Sequence, residues 1–444
     1  MPHEDPNHVS RRSFLRGSAV GASSFLIVKP ELVRGTGKAK LKAGLVGCGG
    51  RGTQAIVDLL TGTENVEVVA MGDLFEDRLE QSLRRLRDAQ KFPKIQDRIK
   101  VDPEHRFVGF DAYKKVLASD IDIVMLCTPP GYRPEHFEAA VEARKHVFCE
   151  KPFGTDPVGV RRFMAAAKKS EELKLTVVSG AQRRFARDYQ ETIEKIQNGA
   201  IGEVVATYAY WIGSPVLQFL SPNWPGPKGR RDPRWGDMTW QNRNWYSFLW
   251  LCGDQVVEQH IHNIDVCNWV MGTHPVKVVA SGGVAWRPRE EPYGNIYDHL
   301  SADFEYPNGV RLTSHCRQYP RGSAENVSEL VVGTKGRSNC HDMGSGTGQD
   351  VRTRFRDPLE NPYVREQIAL VNSIRGDGPY VNHAMAVAIS TMTCIMAREA
   401  AYSGLEITWD MIMNSKLDLY PKAFDYDAKV EVPPLPVPGQ YKFI

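Results

Sequence analysis

The sequence lacks a strong excess of charge of either sign. Its 444 residues carry 56 Lys and Arg against 53 Asp and Glu, for a formal net charge of +3. Nucleic-acid binding requires a concentrated basic surface that neutralises phosphates, so this balance predicts no nucleic-acid partner. The length indicates two domains, because domains typically hold roughly 100 to 200 residues.

An apolar segment long enough to cross a membrane is missing near the N-terminus. The apolar run 17–28 is shorter than the ~20 residues that a spanning helix needs, which predicts no stable membrane insertion. The stretch "SRRSFLR" at 10–16 precedes it and resembles the twin-arginine export signal of bacteria. We expect residues 1–36 to be an export signal and linker, and the twin-arginine machinery to deliver the folded protein to the periplasm.

Disulfide bonds are not indicated, although the chain has eight cysteines. Cys48 lies in a Gly-rich loop, and Cys127 and Cys149 end apolar runs. These positions are typical of cysteines that act as small buried hydrophobes, so we expect free thiols.

The stretch "LKAGLVGCGGRG", residues 41–52, predicts a dinucleotide-binding loop. An apolar strand runs into a G-x-G-x-x-G pattern, a helix follows, and a second strand ends at Asp73. Glycines permit the tight turn and the close approach of a pyrophosphate to the helix N-terminus. Asp73 is placed to accept the adenosine ribose hydroxyls, and its charge favours NAD over NADP.

Further strands alternating with helices predict a parallel, doubly wound sheet that binds its ligand at the carboxyl ends of the strands. Lys151 lies at such an end between apolar neighbours, where burying a cation without a role is costly; an ion pair with Glu150 is the alternative. The predicted cofactor contacts are Gly47, Gly49, Gly50, Arg51, Gly52, Asp73, Thr128, Pro129, Pro130, Glu150 and Lys151.

The stretch 253–272 is predicted to be one helix that carries chemistry. On a continuous helix Glu258, His262 and Asp265 share a face, so a carboxylate could hold an imidazole that acts as a general base. His260 lies two residues from His262, and a helix cannot aim both at one ion, so we predict no metal site.

The Gly-rich loop, the sequence Glu150-Lys151-Pro152 and the acid-x-x-x-His-x-x-Asp pattern ending at Asp265 resemble the glucose–fructose oxidoreductase/inositol dehydrogenase (Gfo/Idh/MocA) family. The resemblance implies an N-terminal Rossmann domain with a doubly wound parallel sheet, and a C-terminal α/β domain with a large open mixed or antiparallel sheet. It also implies that Lys151 and His262 are catalytic, with Glu258 where many members carry Asp. Members often form homodimers or homotetramers through the open sheet.

We place the Rossmann domain at 40–180 and the substrate and oligomerisation domain at 181–444, with C-terminal helices that pack back toward the Rossmann domain. Six of the nine tryptophans fall in 211–250, a Pro-, Gly- and Arg-rich stretch that predicts a long loop. Its tryptophans could stack on sugar rings or could cement the loop or a subunit interface. The candidate substrate contacts are Arg184, Trp240, Trp245, His260, Asp265 and Tyr297.

The predicted function is NAD(P)-dependent oxidation of a secondary alcohol in a sugar, sugar alcohol or glycoside, with Lys151, His262 and Glu258 as the catalytic groups. Because the periplasm has no free NAD pool, a tightly bound NAD is expected. An alternative is a glycoside hydrolase that cycles NAD through a keto-sugar intermediate. A second alternative is a sugar-binding protein that kept the fold and lost catalysis.

Overall fold

The computed structural model describes residues 40–216, 231–320, 322–341 and 358–444. The predicted export signal at 1–36 and Trp224 lie outside the described residues. The strands are β1 Leu41–Val46, β2 Val66–Asp73, β3 Arg106–Val108, β4 Ile123–Leu126, β5 His146–Cys149, β6 Val177–Ser179, β7 Val204–Gly213, β8 Lys277–Gly283, β9 His299–Glu305, β10 Arg311–Gln318, β11 Asn326–Gly333, β12 Gly336–Ser338 and β13 Ile407–Thr408.

The helices are α1 Gly50–Gly62, α2 Glu76–Leu86, α3 Ala112–Ala118, α4 Arg133–Glu142, α5 Pro157–Glu172, α6 Arg187–Gln197, α7 Asp237–Arg243, α8 Leu249–Cys252, α9 Gln255–Glu258, α10 Ile261–Met271, α11 Pro362–Arg375, α12 Ala384–Ser403 and α13 Trp409–Asn414. Short 3-10 turns connect several of them, among them Pro130–Tyr132 and Trp245–Ser247.

The first sheet has six strands in the order β3-β2-β1-β4-β5-β6, and every neighbouring pair is parallel. The central strands are buried on both faces, as the apolar runs in the sequence require. Strand order reverses between β1 and β4, so the crevice for a ligand lies above the carboxyl ends of these strands.

The second sheet has seven strands in the order β12-β11-β7-β10-β9-β8-β13. Only β7 and β10 pair in parallel; the other neighbours are antiparallel. Strands β9 and β10 alternate between buried and partly exposed residues, so one face covers the core and the other is open. The predicted fold class, α/β with a parallel Rossmann sheet and a mixed second sheet, is confirmed.

The C-terminal part of the chain returns to the first sheet. Leu370 and Val371 of α11 belong to the same buried cluster as Leu59 of α1. Residue Asn382 forms a parallel bridge with Val177 of β6, which extends the edge of the sheet by one short segment.

Helix α12 is a core helix. Within the part of the chain that the structure describes, it is the one helix with the length and hydropathy to cross a membrane, and 83% of its apolar window is buried inside the protein. It ends at Gly404 in the left-handed conformation, as its sequence predicts. All eight cysteines are free, and all but Cys127 are buried, which confirms the expectation of free thiols.

Candidate active site

A cleft of about 490 Å³ opens above the carboxyl ends of the first sheet. It runs from Asp73 at one end to Lys151 and His262 at the other. The predicted site residues that line it are Gly47, Gly49, Gly50, Arg51, Gly52, Asp73, Thr128, Pro129, Glu150, Lys151, Trp245, Glu258 and His262. Residues from both halves of the sequence therefore meet in one space.

The Gly-rich loop is shaped to hold an anion. Gly47 has φ +96°, and a Cβ on Gly52 would lie 1.9 Å from the carbonyl oxygen of Gly47, so both positions require glycine. Cβ atoms on Gly49 and Gly50 would meet nothing within 4 Å. Helix α1 begins here without a side-chain cap, which leaves its first N–H groups to a ligand. These features fit the pyrophosphate of a dinucleotide.

Asp73 lies where a ribose would bind. Its carboxylate accepts hydrogen bonds from the backbone N–H of Cys48 at 2.6 Å and of Phe75 at 2.8 Å. Burial raises the pKa of Asp73, and these two bonds oppose the rise. Each carboxylate oxygen keeps a second lone pair, so ribose hydroxyls can still be bound.

Aromatic residues that sequence reasoning missed form one wall of the cleft. The His136 imidazole stacks on Tyr113, with ring centroids 4.1 Å apart, and on Tyr132 at 5.7 Å. Burial lowers the pKa of His136 to about 3, so the ring is neutral at pH 7. Thr128 Oγ1 lies 3.3 Å from its Nδ1. The wall is flat and uncharged.

Lys151 and Glu258 form a buried pair. The Lys151 ammonium donates to the backbone carbonyl of Glu258 and, over 3.1 Å, to its Oε1. Burial raises the pKa of Glu258, while the charge of Lys151 opposes the rise. Oε2 of Glu258 is buried without a hydrogen-bond partner among the described residues. The Lys151–Pro152 peptide bond is cis.

The His262 ring lies beside this pair and stacks on Trp211 of β7, with centroids 5.6 Å apart. Burial, followed by the charge of Lys151, holds the pKa of His262 well below its usual 6.5. No described side chain or backbone group is hydrogen-bonded to its ring nitrogens. A neutral imidazole of this kind can accept a proton from a ligand.

The predicted single helix at 253–272 is broken. Helix α9 ends at Glu258, α10 starts at Ile261, and the N–H of His260 bonds to the carbonyl of Gln255 at 3.2 Å, five residues back. The i,i+4 argument for Glu258 and His262 was therefore wrong. Glu258 binds Lys151, and the prediction that it holds the His262 imidazole is replaced by this pairing.

Arg51 lines the cleft, and its guanidinium is paired with carboxylates of the protein itself. The guanidinium pairs with Glu150 at 2.5 Å, Glu366 at 3.1 Å and Asp58 at 3.2 Å, and lies 4.6 Å over the Tyr363 ring. These ion pairs clamp the Gly-rich loop to the end of β5 and to α11. Arg51 and Glu150 also line the cleft, and their contact with a cofactor stays a prediction. Burial raises the pKa of Glu366 well above its usual range.

Several predicted contacts do not line the main cleft: Pro130, Arg184, Trp240, His260, Asp265 and Tyr297. Arg184 and Asp265 form a bidentate ion pair, with both N–O distances 2.8 Å. The buried His260 lies 2.7 Å from Ser314 Oγ through Nε2. These side chains are therefore engaged within the protein, although the buried Nδ1 of His260 has no hydrogen-bond partner among the described residues.

The other three predicted contacts that do not line the cleft are also engaged within the protein. The Tyr297 hydroxyl donates to the carbonyl of Pro436 at 2.7 Å. Trp240 is 3% exposed in an apolar cluster. Pro130 opens a 3-10 turn whose next residue, Gly131, packs against the backbone of Trp250.

The described part of 211–250 is more regular than predicted. Residues 237–252 contain α7, a 3-10 turn and α8, and they bury Trp240 and Trp250 in a cluster with Tyr132 and Phe248. Trp240 and Trp250 therefore stabilise this segment by packing, as one of the two interpretations of the tryptophans holds. Trp245 lines the cleft, as the other interpretation requires.

Sequence reasoning also missed lining residues contributed by distant segments: Phe75, Arg78, Phe110, Asn242, Arg243, Gln259 and Tyr363. Phe75 and Arg78 follow Asp73 closely in the sequence, so their place in the cleft could have been predicted from that position. Tyr363 lies about a hundred residues after His262 without any motif, and nothing in the sequence marked it.

Comparison with known proteins agrees with this geometry. The family model "GFO_IDH_MocA: Oxidoreductase family, NAD-binding Rossmann fold" matches residues 41–178, and the model for the GFO/IDH/MocA C-terminal domain matches 189–338. A myo-inositol 2-dehydrogenase of Thermotoga maritima is 24% identical over 244 residues, 55% of this chain and 59% of that relative. The chain thus spans under two thirds of the length of this relative.

A D-glucoside 3-dehydrogenase of Escherichia coli is 25% identical over 283 residues, 60% of this chain and 73% of that protein. Among solved structures, scyllo-inositol dehydrogenase from Lactobacillus casei with bound NAD(H) and scyllo-inositol has a TM-score of 0.60 at 20% identity, covering 83% of this chain and 99% of that one. This likeness shows the fold. The two family matches together span more than half of the sequence, and the chain belongs to the GFO/IDH/MocA oxidoreductase family with an NAD-binding Rossmann domain.

Proposed function

We propose that the protein is an NAD-dependent oxidoreductase that acts on a secondary alcohol of a sugar or sugar alcohol. The observation that carries the proposal is the meeting of Lys151, neutral His262 and the Gly47–Gly52 loop in one cleft. The printed activities of the relatives, on myo-inositol and on D-glucosides, support the substrate class.

His262 is the proton acceptor in this proposal. Its lowered pKa keeps the imidazole neutral at pH 7, and its ring nitrogens carry no hydrogen bond from the described residues. The stack on Trp211 fixes the plane of the ring. A substrate hydroxyl within about 3 Å of the imidazole would lose its proton to it.

Lys151 stabilises the negative charge that develops on the carbinol oxygen. Glu258 holds the ammonium in place through two acceptors, its carbonyl and its Oε1. The Gly47–Gly52 loop and Asp73 would hold NAD, which would supply a hydride acceptor for the carbinol carbon. Residues of this chain bind and orient the substrate and accept its proton.

A redox-neutral glycoside cleavage that regenerates NAD in place is the second candidate. The observation that favours it is that Asn242 and Arg243 of α7 line the cleft together with the Gly-rich loop, since a cofactor held from both sides suits a reaction with no net oxidation. In that reaction oxidation of a ring hydroxyl would acidify the neighbouring C–H, and loss of that proton would expel the aglycone. Addition of water to the resulting double bond and return of the hydride would then leave the cofactor unchanged overall.

The test is to purify the full chain, measure bound NAD, and supply inositols, free sugars and aryl glycosides with and without added NAD. NADH formation from polyols supports the dehydrogenase, whereas aryl release without added NAD, in molar excess over bound NAD, supports the redox-neutral reaction. Lys151→Ala should abolish either activity, and exposed Lys168→Ala is the matched control. Full activity in Lys151→Ala would refute the site.

We also propose export of the folded protein to the periplasm and assembly as a homodimer or homotetramer. The "SRRSFLR" stretch supports export, and the partly exposed Tyr208, Tyr210 and Leu330 on the open face of the second sheet support association. Replacing both Arg11 and Arg12 by Lys should retain the protein in the cytoplasm. Light scattering of the purified protein gives its oligomeric state.

A further inference from the structure

Helix α7 is joined to a C-terminal segment, residues 424–430, which turns at Tyr426 and Asp427. The backbone N–H of Met238 donates to the carbonyl of Ala428 at 3.2 Å, and Thr239 Oγ1 donates to that of Tyr426 at 2.9 Å. Gln241 Nε2 donates to the carbonyl of Val430 at 2.7 Å. We call α7 and residues 424–430 together the clasp.

The clasp contacts the loop that follows β2 and the first turn of α2. Both terminal nitrogens of Arg243 bind the carboxylate of Asp77 at 2.8 Å, in a bidentate pair. The same guanidinium lies 4.0 Å from the centroid of the Phe75 ring. Such planar contacts are specific to arginine, because the guanidinium offers two parallel donors and a stacking face.

A second contact comes from the C-terminal segment of the clasp, residues 424–430. The Tyr426 hydroxyl donates to the carbonyl of Leu74 at 2.6 Å. Its ring lies 5.2 Å from Phe110 and 6.3 Å from Phe75, centroid to centroid. Two sequence-distant segments therefore hold the same short loop.

These contacts lie at the ribose end of the cleft. Leu74 and Phe75 directly follow Asp73, and both line the cleft together with Phe110 and Arg243. A dinucleotide on the Gly-rich loop places its adenosine ribose at the acidic residue ending β2. The clasp thus bridges from the far side of the cleft to the loop that would hold the adenosine.

Arg243 is held tightly even though its partner is exposed. Its side chain is 14% exposed, against 60% for Asp77. Trp235 covers it from the other side at 5.3 Å. The residue is therefore fixed by rings on two sides, and the ion pair with Asp77 can open without unfolding α7.

We propose that the clasp retains NAD between turnovers, so that dissociation of the cofactor requires the Arg243–Asp77 and Tyr426–Leu74 contacts to open. The proposal rests on the proposed function in taking NAD as the ligand of the cleft. A cofactor that the clasp retains stays bound after one half-reaction. A second half-reaction must then return it to its starting redox state in the same cleft. The residues 415–444 that carry part of it lie beyond both family-model matches.

The test measures release of NAD, not turnover. The full-length protein is loaded with NADH, and release is followed by fluorescence after dilution into excess NAD. We expect Asp77→Asn, Arg243→Met and Tyr426→Phe each to speed release about tenfold, which corresponds to about 1.4 kcal/mol. Arg234→Met is the control, because the 85% exposed Arg234 pairs only with the nearby Asp232 in the described structure.

Asp77→Asn changes an exposed carboxylate and should leave the thermal midpoint unchanged, so its result stands even where Arg243→Met weakens the fold. Equal release from wild type, Asp77→Asn and Arg243→Met would overturn the clasp. Failure of the wild-type protein to bind NADH at all would overturn the proposed function instead. Faster release of NADH from a variant that keeps its activity would support the clasp, because it would show that these contacts retain the cofactor without taking part in the reaction.

Discussion

The ammonium of Lys151 is anchored to Glu258 at two points, the main-chain carbonyl and the carboxylate Oε1. One donor of Lys151 is left for a substrate oxygen. The pair joins the end of β5, in the first sheet, to the end of α9, in the second half of the chain. The geometry of the site therefore depends on a contact between these two segments.

We expect Glu258→Gln to lower kcat about 10- to 100-fold, because a neutral partner holds the ammonium less firmly at the developing oxyanion. KM should change little, since Glu258 acts through Lys151. Steady-state kinetics against wild type and exposed Glu171→Gln check this. A change confined to KM would mean that Glu258 binds substrate directly.

The activity should have no acid limb near pH 6.5. Since burial and Lys151 hold the pKa of His262 well below 6.5, the imidazole stays neutral as the pH falls through that value. An ordinary histidine would lose about half of its basic form there. The pH profile of kcat/KM, compared with that of His262→Asn, tests this. A titration of activity centred at or above pH 6.5 would contradict it.

Stability should depend on pH through His260. Burial lowers the pKa of His260 to about 3, so between pH 6.5 and 3 the unfolded chain binds a proton that the folded protein does not. The free energy of unfolding must therefore fall as the pH is lowered through this window, by about 1.4 kcal/mol per pH unit. Urea unfolding at pH 7.5 and 5.5 should show wild type losing about 1 kcal/mol more than His260→Gln. Equal losses would refute the assignment.

Two glycines of the loop should behave differently on substitution. Gly52→Ala places a methyl group 1.9 Å from the carbonyl of Gly47, which should destabilise the protein by about 1 to 3 kcal/mol and abolish NAD binding. Gly49 has φ −70° and open space around it, so Gly49→Ala should fold normally and weaken NAD binding only. Thermal melts and NAD titrations of both variants separate the effects, and equal melting temperatures would count against this loop geometry.

The Arg184–Asp265 pair should prove structural. Arg184→Met leaves the buried carboxylate of Asp265 without its cation, which should cost about 3 to 5 kcal/mol. KM for the sugar should not move. Arg187→Met, at a 63% exposed position, is the control. Unchanged stability with a raised KM would restore the earlier prediction that Arg184 contacts substrate.

Local patterns in the sequence were sufficient for the nucleotide-binding half. The loop Gly47–Gly52 and Asp73 could be placed because glycine conformations and strand ends are set by near neighbours. The helix break at Gln259 could not be predicted, and the adjacent His260 makes its side-chain contact with Ser314, 54 residues farther along the chain. Arg243 and Tyr426 could not be predicted for the same reason, since their partners come from segments far along the chain.

The return of α11 and Asn382 to the first sheet has a consequence for how the chain is made. A ribosome completes β6 at Ser179 long before it reaches Asn382, the residue that bridges to Val177. Until then the surface of α1 that receives Leu370 is uncovered, so the nascent protein carries an apolar patch for nearly half of its synthesis. Closure of the first sheet is therefore a late step of folding, and the ion pair between Arg51 and Glu366 can form only after α11 has been made.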